Sequence, residues 1–284
     1  MRGARFRTAV FLTAVAAVLV VVAAAAARTD SPKKPIVIGW AYDGNGSMAP
    51  FDDPALAAAK LRVAQINKRG GVLGRKLQIN TCDTQGNKPS VAKACALKLL
   101  SGGADVMFVT CDVDLGAPVI QEAINRGVLA VAPCIGTDQM GPKRFGKKGN
   151  LAFSFGNVAQ DEGSAMAELA WKNGWKTADL AKDTVIVYFK AVVSAFKARF
   201  QQLGGKINYE TSYQDPALQP GSTNFNNAAS AIAQHPAKVI VTVTSGSYGA
   251  QLPFITDLRT AGIKTPVLNS WAGDGTYWLP TSGP

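Results

Sequence analysis

From residue 35 onward the chain switches repeatedly between two hydrophobic rhythms. "PIVIGWA" (35–41) is a continuous apolar run with β-branched residues, which predicts a buried strand. After the loop "DGNGSMAPFDDP", Leu56, Ala59, Val63 and Ile66 recur at helical spacing, with Asp52 or Asp53 as the cap and Pro54 at the first position. Gly70 and Gly71 stop that helix, since glycine takes a positive φ at little cost. "KLQINTC" predicts a second strand, and "NKPSVAKACALKLLSGG" a second helix that Pro89 opens and Gly102 closes. "ADVMFVTC" predicts a third strand, residues 117–126 a short helix, and "GVLAVAPC" a fourth strand. Strands alternating with helices over short loops imply a parallel sheet with right-handed crossovers. Functional groups then gather in loops at the strands' C-terminal ends, here 42–53, 82–88, 111–116 and 134–140.

The alternation restarts beyond a loop at 141–150. "LAFSFG" reads as a strand, residues 160–173 as a helix with Met166, Leu169 and Ala170 on one side, "TADLAKD" as a polar connector, and "TVIVYF" (184–189) as a strand. Val193, Phe196, Phe200 and Leu203 form a helical stripe that Gly204 and Gly205 end. "KINYETSY" predicts a strand, 224–235 a helix, "KVIVTVTS" the strongest strand of the chain, 250–261 a helix ended by Gly262, and "TPVLNSWAGDG" a last strand and loop. The expected organisation is a first α/β lobe over 35–140 and a second over 141–272.

The 284 residues are 47% hydrophobic, enough for one large or two medium cores. The start is set apart. Arg2, Arg5 and Arg7 precede an apolar run from Thr8 to Ala27 that ends in small residues, the make-up of a secretory signal peptide over 1–27, followed by a linker over 28–34. An uncleaved anchor is the alternative, because the run is about long enough to span a bilayer. The net charge is +11, of which residues 1–34 carry +5. The remaining excess is dispersed, apart from "GPKRFGKKGN" (141–150), and a dispersed excess is not a nucleic-acid footprint.

Several chemistries lack their parts. "GGVLGRKL" precedes a strand and has no G-K-[ST] ending, and "DGNGSMAP" lacks the third glycine of a dinucleotide fingerprint. There is no G-x-S-x-G elbow, and the sole histidine, His235, sits at a predicted helix end beside Pro236, where it caps carbonyls. No catalytic residues, cofactor or metal site are expected. The four cysteines lie between residues 82 and 134 without the C-x2-C spacing of zinc ribbons, so an exported chain would pair them as disulfides in one of three ways. The carboxylate pair Asp112/Asp114 stands at the mouth of strand three, where a ligand site or a solvated turn would both fit.

"QINKRGGVLGRKLQINTCDTQGN", "GVLAVAPCIGT", "AFKARFQQLGGKI", "NFNNAASAI" and "LRTAGIKTPVLNSWAGDG" resemble the branched-chain amino-acid-binding proteins of ABC importers. The resemblance covers nearly everything after residue 35. It implies a two-lobed type I periplasmic-binding-protein fold, each lobe a parallel sheet flanked by helices, with a small ligand between the lobes. Members of that family continue well past the "GDG" loop, so residues 273–284 would begin a return toward the first lobe whose remainder is missing. Carried over by motif, the ligand-binding positions are Phe51, the strand-three loop with Asp112 and Asp114, the strand-four loop with Ile135, Gly136 and Thr137, the aromatic walls Tyr188 and Tyr248, and Asp274 as the ammonium-binding acid. Relatives present Ser in the strand-three loop. Two carboxylates there would repel a ligand carboxylate, so Asp112, Asp114 and Asp274 favour a cationic or polar neutral ligand.

In a 2-1-3-4 strand order Cys111 and Cys134 end neighbouring strands about 4.8 Å apart, within reach of a disulfide. That leaves Cys82 with Cys95; a Cys82–Cys111 bridge, like one in some relatives, is the second choice. The resemblance implies an extracytoplasmic (secreted or periplasmic) solute-binding protein of an ABC importer. It would bind a small polar ligand, amino acid or amide-like, and dock on a permease. It would not be an enzyme or bind nucleic acid, and would touch membrane only through its signal or anchor segment. The alternative is a membrane-tethered sensor domain on the same fold.

Overall fold

A computed structural model describes residues 33–273 except 135, 217–218, 220–221, 223–224 and 247–250. The first lobe runs β1 (Ile36–Tyr42), α1 (Ala49–Lys68), β2 (Leu77–Asp83), α2 (Pro89–Ser101), β3 (Val106–Phe108), α3 (Val113–Asn125), β4 (Leu129–Ala132), a short helix α4 (Pro142–Phe145) with a 3-10 turn (Gly146–Leu151), and β5 (Ala152–Ser154). The second runs α5 (Ala159–Lys172), β6 (Thr177–Asp183), α6 (Val187–Gln202), β7 (Lys206–Tyr213), α7 (Phe225–Ile232), β8 (Val239–Val243), α8 (Gln251–Thr260) and β9 (Val267–Leu268). The sheets are parallel, in the orders β2-β1-β3-β4-β5 and β7-β6-β8-β9. One face of the first sheet packs Val37, Met107 and Ala130 against Leu99, Ile120 and Ile124 of α2 and α3. The second sheet is covered on both faces. Leu180, Val239 and Val241 meet Phe196 and Phe200 of α6, while Ala181 and Ile240 meet Ile232, Phe254 and Leu258 of α7 and α8.

Four expectations need correction. "LAFSFG" does not open the second lobe. Ala152–Ser154 pairs with Ala130–Ala132, because the turns over 142–151 fold the chain back beside β4, so the first sheet extends past residue 140. "TADLAKD" is no connector. It is β6, the strand with a neighbour on each side, and "TVIVYF" supplies a loop and the start of α6 instead. Small Ala178 and Ala181 let helices approach both faces of β6, and this packing overrides the weak strand propensity of the segment. Helix α1 starts at Ala49, ahead of Pro54, and Asp52 does not cap it. Helix α3 starts at Val113, four residues earlier than its apolar spacing suggests, because Asp112 Oδ1 accepts the Asp114 and Leu115 N–H groups as an N-cap. The expected return segment falls on residues outside those described, save Gly273.

Candidate functional site

The C-terminal ends of the two sheets face each other, and the loops there enclose a cleft between the lobes. Ser47, Met48, Phe51 and Asp112 line it from the first lobe and Ile186, Phe189, Ser245 and Ala272 from the second, around a narrow cavity of about 20 Å³. The chain crosses between lobes after β5, where Val158 bridges Gly136 and the Gly136 N–H donates to the Asn157 carbonyl at 3.1 Å. The cleft floor is an apolar cluster of Met48, Phe51, Cys111, Leu115, Cys134 and Trp271, with the Phe51 and Trp271 rings 5.5 Å apart across the lobes.

Buried carboxylates hold the strand-end loops in shape. Asp43 Oδ1 accepts the Gly46 and Gly86 N–H groups and its Oδ2 the Met48 N–H, tying the β1 loop to the β2 loop. Asp52 accepts from Asp43 N–H at 2.8 Å and Cys111 N–H at 2.9 Å, which fixes the β1 and β3 loops together. Burial, with a smaller push from the Asp43 charge, raises Asp52 to about 7. Disulfides Cys82–Cys95 and Cys111–Cys134 add covalent ties; the alternative Cys82–Cys111 pair is not formed. The second ties the β3 and β4 loops at the cleft floor. Loops of this size are worth about 3 kcal/mol each in the chain-entropy model.

Of the residues expected at the ligand, Phe51 and Asp112 line the cleft. Asp112 is 1% exposed, and burial, reinforced by the Asp114 charge, lifts it to about 6. Its Oδ1 caps α3, while its Oδ2 has no hydrogen-bond partner among the described residues. Asp114 points away from the cleft. It pairs with Arg144, and its Oδ2 accepts the Val187 N–H at 2.6 Å, so a first-lobe carboxylate holds the first turn of second-lobe helix α6. Thr137 is buried with its hydroxyl accepting the Gln139 N–H, inside a turn beside the crossover. Tyr188 is fully buried and donates to Glu162 Oε2 at 2.6 Å; Glu162 Oε1 in turn accepts the Trp271 N–H at 2.5 Å. Ile135, Tyr248 and Asp274 lie outside the described residues. Ser47, Met48, Ile186, Phe189, Ser245 and Ala272 were not anticipated. Ser47 and Met48 do fall in a strand-end loop, which was the available signal. Among the described residues no group of three His, Cys, Asp or Glu side chains could hold a metal.

A family model described as "Periplasmic binding protein" matches residues 35–284. The chain is 24% identical over 246 residues to Leu/Ile/Val-binding protein homolog 3 of Brucella melitensis, covering 86% of this chain and 63% of that one. Its fold superposes on a Streptococcus pneumoniae branched-chain amino acid transporter substrate-binding protein, LivJ, in complex with isoleucine, at a TM-score of 0.69 and 19% identity, over 83% of this chain and 64% of that one. A Rhodopseudomonas palustris solute-binding protein in complex with benzoate gives a TM-score of 0.63 and 21% identity, over 83% and 62%. The chain therefore spans somewhat less than two thirds of the length of these relatives. The matched span holds both parallel-sheet lobes and the cleft between them, and the chain belongs to the periplasmic binding protein family.

Proposed function

We propose that the chain is an extracytoplasmic solute-binding protein of an ABC-type importer, which holds a small polar ligand, an amino acid or an amide-like molecule, between its lobes and delivers it to a permease. The observation that carries this reading is the cleft lined by four side chains from each lobe at the facing C-terminal ends of two parallel sheets. A ligand there touches both lobes and stabilises the closed arrangement by hinge motion about the crossover. The role is binding, without chemical conversion. Phe51 and Asp112 are its first-lobe contacts, Ile135, Tyr248 and Asp274 are proposed to add to the shell, and Gly136, Thr137 and Tyr188 support it from behind the cleft wall. Native mass spectrometry of protein purified from its own cells should show one retained small molecule, and scattering should show compaction when it is added back. A chain that retains no solute and closes on none of a broad metabolite panel would not be a solute-binding protein.

A sensor reading on the same fold is favoured by the basic start and the Thr8–Ala27 apolar run. N-terminal sequencing of the exported chain separates the two: a start near Arg28 supports the free binding protein, and an intact Met1 supports a tethered sensor.

A further inference from the structure

Charge is distributed unevenly over this molecule. The net charge is +11, yet the sequence stretches that follow the strands (43–48, 84–88, 109–112, 133–141, 155–158, 184–186, 214–224, 244–250 and 269–273) contain a single basic residue, Lys88, which is exposed. The same stretches carry Asp43, Asp112, Asp138 and Asp215. The cations just beyond them are already engaged, Lys143 with Asp138 and Arg144 with Asp114. The cleft wall is otherwise apolar: Met48, Phe51, Ile186, Phe189 and Ala272, with the hydroxyls of Ser47 and Ser245. Among the described residues the one ionisable group in that wall is Asp112, whose Oδ2 has no hydrogen-bond partner among them.

A ligand carboxylate in this cleft meets a buried carboxylate at short range, and the nearby cation Arg144 is already paired with Asp114, so in a low-dielectric site the repulsion is large. An ammonium supplies the donors that Asp112 Oδ2 lacks, and a hydrocarbon body matches the walls. We propose that the ligand is a small hydrophobic amine without a carboxylate, its ammonium on Asp112 and its body between Met48, Phe51, Ile186 and Phe189. This rests on the solute-binding reading of the same cleft. The ionisable groups around Asp112 are Asp114 on its own helix, Arg144 on α4 and Asp52 on α1 behind Cys111; among the described residues the second-lobe wall adds none. With Asp112 raised to about 6, a proton competes with the ammonium below that pH. The alkylammonium itself titrates near 10 and stays charged.

The test titrates the full chain calorimetrically at pH 7.5 with 3-methylbutylamine, L-leucine and 4-methylpentanoate, which share one isobutyl body and differ in the head. The amine should bind at least about tenfold tighter than leucine, as one charge-assisted hydrogen bond allows, and the carboxylate should not bind. Affinity for the amine should fall about tenfold per pH unit below 6. Asp112→Asn, which keeps a capping oxygen, should weaken the amine about thirtyfold in a chain that still unfolds cooperatively at no lower temperature. If that variant does not fold, the pH profile of the unaltered chain decides. Leucine binding as tightly as the amine, binding of 4-methylpentanoate, or a flat pH profile overturns the amine assignment. If the amine fails but native mass spectrometry finds a retained solute, this inference falls alone; if no solute is retained either, the solute-binding reading falls with it.

Discussion

Asp179 sits in the interior of β6 with its side chain fully buried and neither carboxylate oxygen hydrogen-bonded. It lies beside Tyr209 of β7 and Ile240 of β8. Burial raises it to about 6, and the Tyr209 backbone N–H pulls only weakly the other way. At neutral pH the fold therefore carries a buried charge that the nearby Tyr209 N–H offsets only in part. Asp179→Val replaces it with a strand-favouring apolar side chain of similar size. This variant should stabilise the protein at pH 7 by about 1–3 kcal/mol, read as a higher urea midpoint at unchanged slope. An unchanged or lower midpoint would mean that the carboxylate has a partner which the fold supplies in solution.

The contact between helices α5 and α6 turns on one atom that is missing. A Cβ on Gly163 would lie 2.2 Å from the Val192 carbonyl oxygen and 2.8 Å from the Phe196 nitrogen, so α6 backbone fills the space a side chain would need. Helix propensity favours Gly163→Ala by about 1 kcal/mol. Pushing two packed helices apart above the Phe196 and Phe200 core costs about 1–3 kcal/mol. Sterics wins, and chemical denaturation of Gly163→Ala should show net destabilisation; a stabilised variant would show that the helices slide freely. Most of the elements that make up this packing were legible beforehand. Alternating periods marked the strands and helices, and Gly70 and Gly71, with φ of 103° and 86°, ended α1 where expected. What was not legible followed from one conflict. The most β-like run in the region, "VIVY", is spent on a loop and a helix start, while an Ala- and Asp-rich segment holds the central strand. That misreading also hid Ile186 and Phe189, two walls of the cleft. Asp112 was visible as an acid at a strand end, but its second role as a helix cap depends on where α3 begins.

Across the two lobes four buried aspartates act in the same direction. Asp52 and Asp183 are raised to about 7, and Asp112 and Asp179 to about 6, chiefly by burial. For Asp183 the Asp215 charge adds to the rise, against hydrogen bonds from Val185 N–H and the Thr244 hydroxyl. An unfolded aspartate titrates near 3.9. Between about pH 4 and 7 the folded chain therefore holds more protons than the unfolded chain, and stability falls as pH rises through that window. Asp138, which its bond to Lys143 lowers, acts the other way, but it is a surface pair of small effect. The disulfides do not titrate and leave the slope untouched. Urea unfolding should give a larger free energy at pH 5.5 than at 7.5, by about 2–4 kcal/mol, with most of the loss between 5.5 and 7. Asp179→Val should remove part of that slope, because it deletes one of the four protons at issue, while adding 3-methylbutylamine should flatten the loss toward neutral pH, because it binds Asp112 in its charged form. Stability that rises steadily from pH 5.5 to 7.5 in the unliganded chain would show that these carboxylates are paired well enough to ionise, and would remove the basis for reading the interior as proton-loaded.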